Sequence, residues 1–279
     1  MIAVKRACVG PAWLDRNFTR LRPVSGSGES QLEFDAMKVD VVFSPNEIRA
    51  EHLTGRAAVV FDVLRATTTI AAALCAGAAE IRVFGSLEDA RFAHARFDGR
   101  SILAGEFRCL RAEGFDLGNS PGDFTSDRCA GATIFLATTN GTRAIVKSRA
   151  AERLFAAALV NASITAAKLA SLDRDVTLVC SGTDGQVAPE DIIGAGAVLL
   201  KLLDARSRVD FVSDGPQSAL DSFTKANAAG FVEPFRQTRG GRNIIAASLD
   251  ADIDFAAQLD VCPVVAECDV QNLAIRAAT

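Results

Sequence analysis

From Val39 onward the chain alternates short apolar runs with polar turns and amphipathic stretches. Val39–Phe43 and Ala57–Phe61 read as strands, the second a continuous apolar run suited to burial on both faces. Thr68–Ala76 reads as a helix and Ile81–Phe84 as a strand. Ser86 then caps a helix from Leu87 to about Phe97, with Asp89 three residues on as a variant capping box. Ile102–Ala104, Thr133–Ala137, Arg153–Ala157 and Val176–Cys180 are further strands, and helices are expected near Thr142–Ser148, Ser163–Ala170 and Glu190–Leu203. Strand and helix alternating at this spacing predict βαβ units in a largely parallel sheet. Beyond about Ala205 the pattern is mostly helical, near Pro216–Ala228 and Ile253–Leu259, before a last strand over Val264–Glu267.

Two stretches depart from this rhythm. Residues 1–35 carry five basic residues, Pro23 and the run Ser25-Gly26-Ser27-Gly28-Glu29-Ser30 without a sustained period, the composition of a mobile extension. Between Ile102–Ala104 and Thr133 lies a loop of about thirty residues rich in Gly and charge, and so long a loop in a compact domain is functional or disordered. An internal echo is also visible. Val59-Val60-Phe61, a polar turn with Ala66-Thr67-Thr68, a helix and Ala79–Phe84 form one unit. Ile134-Phe135-Leu136, then Ala137-Thr138-Thr139, a helix and Ala151–Phe155 form a second. The expectation is a duplicated α/β architecture facing across a cleft: residues 36–130 as a first lobe carrying the long loop, and 131–279 as a second lobe with a helical C-terminal part. Any two βαβ units share some likeness, so the echo alone does not decide it.

Composition narrows the function classes. The 279 residues are 49% hydrophobic and 23% charged, with 17 Phe and no Tyr, as in a packed globular protein. A formal net charge of −4 without a Lys/Arg block argues against nucleic acid as a partner. The seven cysteines are odd in number and include no C-x-x-C pair, so neither a disulfide framework nor a zinc site is signalled. Only His52 and His94 are present, too few for a histidine-based site. No apolar stretch reaches the roughly 18 residues of a membrane span, and Met1–Gly10 lacks the apolar core of a secretory signal, so a cytoplasmic protein is expected.

The chemistry is concentrated at strand ends, where ligands of open α/β sheets bind. Asp62 stands one residue beyond Ala57–Phe61, where an acid is either paired or binding a cation. Arg65, three residues on, offers a fork for phosphate, sulfonate or carboxylate, and Thr67 and Thr68 add hydroxyls; an Asp–Arg pair with a Thr cap is the plainer alternative. Thr138-Thr139-Asn140-Gly141-Thr142 opens a helix after a strand, a seat for an anion or an ordinary cap. Cys180-Ser181-Gly182-Thr183 repeats the logic, with Glu190-Asp191 at the next helix start as cation ligands or dipole complements. Glu106 ends another strand. Asp62, Glu106, Glu190 and Asp191 are hard oxygen donors, for which Mg2+ is the expected ion, bridging a substrate phosphate.

Asp62-Val63-Leu64-Arg65-Ala66-Thr67, Gly114-Phe115-Asp116-Leu117-Gly118-Asn119-Ser120-Pro121, Thr138-Thr139-Asn140-Gly141-Thr142-Arg143 and Gly240-Gly241-Arg242-Asn243 resemble, in order, the motifs of the 2-phosphosulfolactate phosphatase family over about residues 38–268. The resemblance implies a Mg-dependent hydrolase converting (R)-2-phospho-3-sulfolactate to sulfolactate and phosphate, a step towards coenzyme M. It also implies a two-lobed, three-layer α/β/α fold and a homodimer. Asp62, Arg65, Glu106, Asp116, Asn119, Asn140, Glu190 and Asp191 fall on matching motif positions. The turn after Glu106 departs from the family pattern, since Phe107, Cys109 and Leu110 make it more apolar.

The resulting expectation is a phosphatase acting on a small acidic phosphoester. Asp62, Glu190 and Asp191 would hold the metal, and Arg65, Thr67, Asn119, Ser120, Thr139, Asn140, Gly141, Gly182 and Thr183 the substrate. Asp62 and Arg65 would serve catalysis, with Glu106 or Asp116 as base for a metal-bound water. A haloacid-dehalogenase mechanism is disfavoured because Leu64 stands where a second Asp is needed. A kinase is disfavoured because no Gly-Lys phosphate loop is present. A phosphatase of another small phosphoester, or a non-catalytic anion-binding protein on the same scaffold, are the alternatives.

Overall fold

A computed structural model describes residues 36–278, so the extension expected over residues 1–35 lies outside the described residues. The strands are β1 (Met37–Val42), β2 (Ala57–Phe61), β3 (Glu80–Phe84), β4 (Ser101–Phe107), β5 (Leu110–Arg111), β6 (Thr133–Ala137), β7 (Arg153–Ala157), β8 (Val176–Cys180), β9 (Val209–Phe211), β10 (Val265–Asp269) and β11 (Ala274–Ala278). The helices are α1 (Ala66–Cys75), α2 (Leu87–His94), α3 (Ser126–Cys129), α4 (Gly141–Lys147), α5 (Ala162–Ala170), α6 (Pro189–Ala205), α7 (Gly215–Ala229), α8 (Val232–Arg236), α9 (Arg239–Ala246) and α10 (Asp250–Ala256). The strands form an 11-stranded sheet in the order β5-β4-β6-β3-β11-β10-β7-β2-β8-β1-β9.

Apolar sequence places this sheet between helices on both faces. Ala57, Val59 and Phe61 of β2 join one core with residues of α5, α6 and α7, while the intervening Ala58 and Val60 join a second with residues of α1 and α4. Alternate side chains of a strand point to opposite faces, so a continuous apolar run is what a central strand requires. Burying each Val or Phe in it contributes roughly 1.5–3 kcal/mol. Ser86 caps α2 as read from sequence, its hydroxyl accepting from the Asp89 N–H at 3.1 Å.

The echo between the two βαβ units takes an interlocked form. β2 leaves its own unit to lie between β7 and β8, and β6 lies between β3 and β4. The sheet halves therefore do not divide at residue 130: β6 lies in the half of β3 and β4, and both β1 and β2 lie in the half of β7 and β8. Within each half the pairings of β2, β7, β8 and β1, and of β3, β6 and β4, are parallel. The halves are joined through β10 and β11, which pair antiparallel with each other, with β7 and with β3, so the two parallel sets run in opposite directions.

Opposed sets would place their carboxyl ends at opposite edges of a flat sheet. The usual twist of roughly 20–25° per strand, over the five steps from β6 to β2, would turn the strands by about 100–125° and bring those ends closer. The remaining departures from the sequence reading are local. The long loop after β4 holds β5 and α3, the expected final strand is a hairpin of β10 and β11, and β9, α8 and α9 lie where no element was read.

Candidate active site

The loop leaving β2 is held so that its first residue faces inward. The Asp62 N–H donates to the Thr67 hydroxyl and the Thr67 N–H to the Asp62 carbonyl, both at 3.0 Å. The Val63 N–H donates to Asp191 Oδ1 at 2.8 Å, and the other Asp191 oxygen accepts from the Ser181 hydroxyl at 3.1 Å and the Gly182 N–H at 3.0 Å. Asp191 thus ties the loops after β2 and β8 together from the start of α6. From the other side, Gly141 opens α4 against the Asp62 carboxylate and Ala66, and a Cβ at Gly141 would collide with both. At the end of β4, Glu106 accepts from the Thr139 N–H at 2.8 Å and the Cys109 N–H at 2.9 Å, joining the β4 and β6 loops. The Asp184 N–H donates to Asn140 Oδ1 at 3.3 Å.

These loops surround a cavity of about 260 Å³ lined by Asp62, Arg65, Glu106, Arg108, Thr139, Asn140, Thr183 and Gly240, among others. That is slightly below the roughly 300–1,000 Å³ usual for small-molecule sites, and suits a compact ligand. Its wall and the layer behind it are acidic. Asp62, Glu106, Glu190 and Asp191 are all buried, and among the described residues none of the four forms an ion pair. Burial, then Glu106, pushes the Asp62 carboxyl up to about 7, with Glu190 adding to the rise and the Ala66 and Gly141 N–H groups opposing it. Asp191 is raised by burial first, then by Asp62 and Glu190. Glu190 is raised by burial, against its own N–H and the Thr238 hydroxyl.

This acidic cluster fits a hard cation. Glu190 Oε2 is buried without a hydrogen-bond partner among the described residues, and a backbone closely packed at Gly240 leaves no room for a Cβ beside Glu190 Oε1. Among the described residues no group of three or more His, Cys, Asp or Glu side chains is arranged to hold a metal by itself. The three-carboxylate set Asp62, Glu190 and Asp191 is therefore not a closed shell, and both Asp191 oxygens already accept hydrogen bonds from the loops they hold. An ion here would keep waters or take substrate oxygens, as Mg2+ commonly does with one or two carboxylates.

Arg65 lies on the cavity wall in a different setting. Its Nη1 donates to Asp252 Oδ2 at 2.6 Å and to the Ser120 hydroxyl at 3.2 Å, and its Nη2 to the Cys109 carbonyl at 2.7 Å. Ser120 also donates to Asp252, at 2.9 Å. Of the five guanidinium N–H groups, Nε–H and one on Nη2 have no partner among the described residues. Asp252 of α10 was not anticipated, and neither was the part of Arg108 and Gly240 in the wall; Thr138 and Asp184 line it as members of the polar runs at the ends of β6 and β8, and Gly240-Gly241-Arg242-Asn243 was the sequence signal that could have indicated Gly240.

The sequence-derived set is thus partly gathered. Asp62, Arg65, Glu106, Asn119, Thr139, Asn140 and Thr183 line the cavity. Thr67, Gly141, Gly182, Glu190 and Asp191 stand behind its wall, shaping or charging it, and Ser120 is engaged by the Arg65–Asp252 pair. Asp116 is elsewhere: exposed, it accepts from the Leu103 N–H at 2.8 Å and lines a neighbouring cavity of about 560 Å³, where it holds the loop and does not reach Asp62's cavity. Asn119 lines both cavities, its buried Oδ1 without a partner among the described residues.

Comparison with known proteins agrees with the motifs. Residues 42–271 match the family model described as 2-phosphosulpholactate phosphatase. A protein of Carboxydothermus hydrogenoformans named "Probable 2-phosphosulfolactate phosphatase" is 37% identical over 236 residues, covering 85% of this chain and 95% of that one. Proteins of the same name from Symbiobacterium thermophilum and Clostridium beijerinckii are 36% identical (79% and 96% covered) and 29% identical (83% and 96% covered).

Proposed function

The chain belongs to the 2-phosphosulfolactate phosphatase family, and on that premise we propose that its acidic cavity binds (R)-2-phospho-3-sulfolactate and hydrolyses the phosphate ester with the help of Mg2+. The observation that carries the metal part of this reading is a cluster of four buried carboxylates, Asp62 and Glu106 on the cavity wall with Glu190 and Asp191 behind it, without an ionic partner among the described residues. A polyanionic ester would be repelled from such a cluster unless a cation stood between them.

Asp62 and Glu190 are the carboxylates whose oxygens would hold the ion, with Asp191 fixing the loops that aim them. When bound, Mg2+ would neutralise phosphoryl charge and acidify water. The remaining work falls to the chain itself. The two unspent N–H groups of Arg65, with Thr139 and Asn140, orient the ester's anionic oxygens. Glu106, held by the Thr139 and Cys109 N–H groups, is the base that takes a proton from water as it attacks phosphorus; the P–O bond to the substrate's carbon breaks and the leaving oxygen is protonated from solvent. With Asp116 facing the other cavity, Glu106 is favoured of the two expected bases.

The same reading carries a coenzyme M-type step, a homodimer and a cytoplasmic setting. Among the described residues no helix is long and apolar enough to cross a membrane. Phosphate release from 2-phosphosulfolactate tests the proposal: turnover should be abolished by EDTA and restored by added Mg2+. Absence of turnover with the metal present, or turnover indifferent to EDTA, defeats it.

A further inference from the structure

The hairpin at the cavity's rim is built in a costly way. Phe107 pairs with Leu110 across β4 and β5, leaving Arg108 and Cys109 as a two-residue turn. Both adopt left-handed backbone, with φ of 51° and 69°. Tight hairpins take such residues routinely only as Asn or Gly, because a Cβ is disfavoured there. A side chain kept at such a position invites a functional explanation, and the inference runs from the outlier to the role.

Arg108 has that role within reach. The turn is anchored to the cavity wall, since Glu106 accepts from the Cys109 N–H and Arg65 donates to the Cys109 carbonyl. Two arginines line the cavity, Arg65 and Arg108. Arg65 is neutralised by Asp252 at 2.6 Å. Arg108 has no carboxylate partner among the described residues; its guanidinium lies 5.3 Å from the centre of the exposed Phe107 ring, which supports it without cancelling its charge.

Resting on the function proposed above, we infer that Arg108 is a specificity determinant: its guanidinium holds an acid group on the organic part of the substrate, while the acidic cluster handles the phosphoryl group. The selected ligand is thus a phosphoester carrying at least one further sulfonate or carboxylate.

Arg108→Gly removes the guanidinium and relieves the turn, so a failure to fold is not expected; thermal melting verifies it. The readout is the ratio of kcat/KM for 2-phosphosulfolactate to that for glycerol 2-phosphate, a secondary phosphoester without another acid. The ratio should fall roughly 10–100-fold, the worth of a charge-assisted hydrogen bond, chiefly through KM. Arg108→Lys, retaining the charge, should restore part of it. An unchanged ratio, including equal losses on both esters, overturns the inference. Calorimetric binding of 3-sulfolactate to the full chain separates the two proposals. Affinity weakened about tenfold or more in Arg108→Gly supports the role of Arg108 even if the wild-type chain releases no phosphate, whereas binding that is equal in both proteins, or absent from the wild type, removes it whatever the turnover.

Discussion

Asp62 and Arg65 leave the same strand three residues apart, and both are buried, yet their surroundings are opposite. Arg65 has its counter-charge, Asp252, and two further acceptors or partners in Ser120 and Cys109. Asp62 has no ion-pair partner among the described residues; Glu106 and Glu190 raise its carboxyl and the Ala66 and Gly141 N–H groups oppose them. A buried charge with its partner in place is compatible with a structural role, while a buried carboxylate among carboxylates destabilises the fold unless something absent from the chain completes it. The lesson is that burial alone does not mark the site; burial without compensation does.

The largest effect should come from Asp62→Asn, which should lower turnover of 2-phosphosulfolactate by roughly 10³-fold or more while leaving metal-free stability equal or higher. The pH dependence follows from the same residue. Asp62 holds its proton to about pH 7 in the fold but only to about 3.9 when unfolded. The folded state therefore binds the extra proton between these values, and metal-free stability should decline as pH rises from about 4 to 7, by roughly 2–4 kcal/mol. Chemical denaturation in EDTA should show this slope in the wild type and a shallower one in Asp62→Asn; equal slopes would make Asp62 no different from a surface acid.

Asp252→Ala attacks the other member of the comparison. It strands the Arg65 guanidinium in a buried position and should cost about 3–5 kcal/mol, measured by the same denaturation. Arg65→Met combined with Asp252→Leu should regain most of that loss. If Asp252→Ala cost under about 1 kcal/mol, Arg65 would not be held by this pair and the contrast with Asp62 would disappear. Smaller still is Gly141→Ala. Its methyl meets the Asp62 carboxylate and Ala66, and should cost about 1–3 kcal/mol by overpacking, with a KM for 2-phosphosulfolactate raised as Asp62 is displaced. A neutral outcome would show the α4 start to be free to withdraw.

How far the sequence disclosed all this varied with the range of the interaction. Ala57–Phe61, Thr133–Ala137, Arg153–Ala157 and Val176–Cys180 are strands with the boundaries read from their apolar runs, because burial on both faces leaves an uninterrupted local signature. The loop clusters were legible for the same reason: polar residues at a strand end have no packing to explain them. The pairing of Arg65 with Asp252 was not legible, since 187 residues separate them and an Asp among the acids of Asp250-Ala251-Asp252-Ile253-Asp254 carries no mark of its partner. Asp116 misled because its motif is local, while the direction its carboxylate takes is set by the Leu103 N–H of a neighbouring strand. Nor could periodicity show that β2 and β6 change places, as an apolar run does not say which strands flank it.

That placement of β2 bears on how the protein is made. Ala57–Phe61 bonds on one side to Arg153–Ala157 and on the other to Val176–Cys180, segments the ribosome delivers about a hundred residues later. Contacts so distant along the chain are slow to form, and until they do the strand bearing Asp62 has neither of its neighbours. Catalytic competence therefore waits at least on the arrival of Val176–Cys180, and a nascent chain released before it would have its acidic loop but no scaffold to aim it.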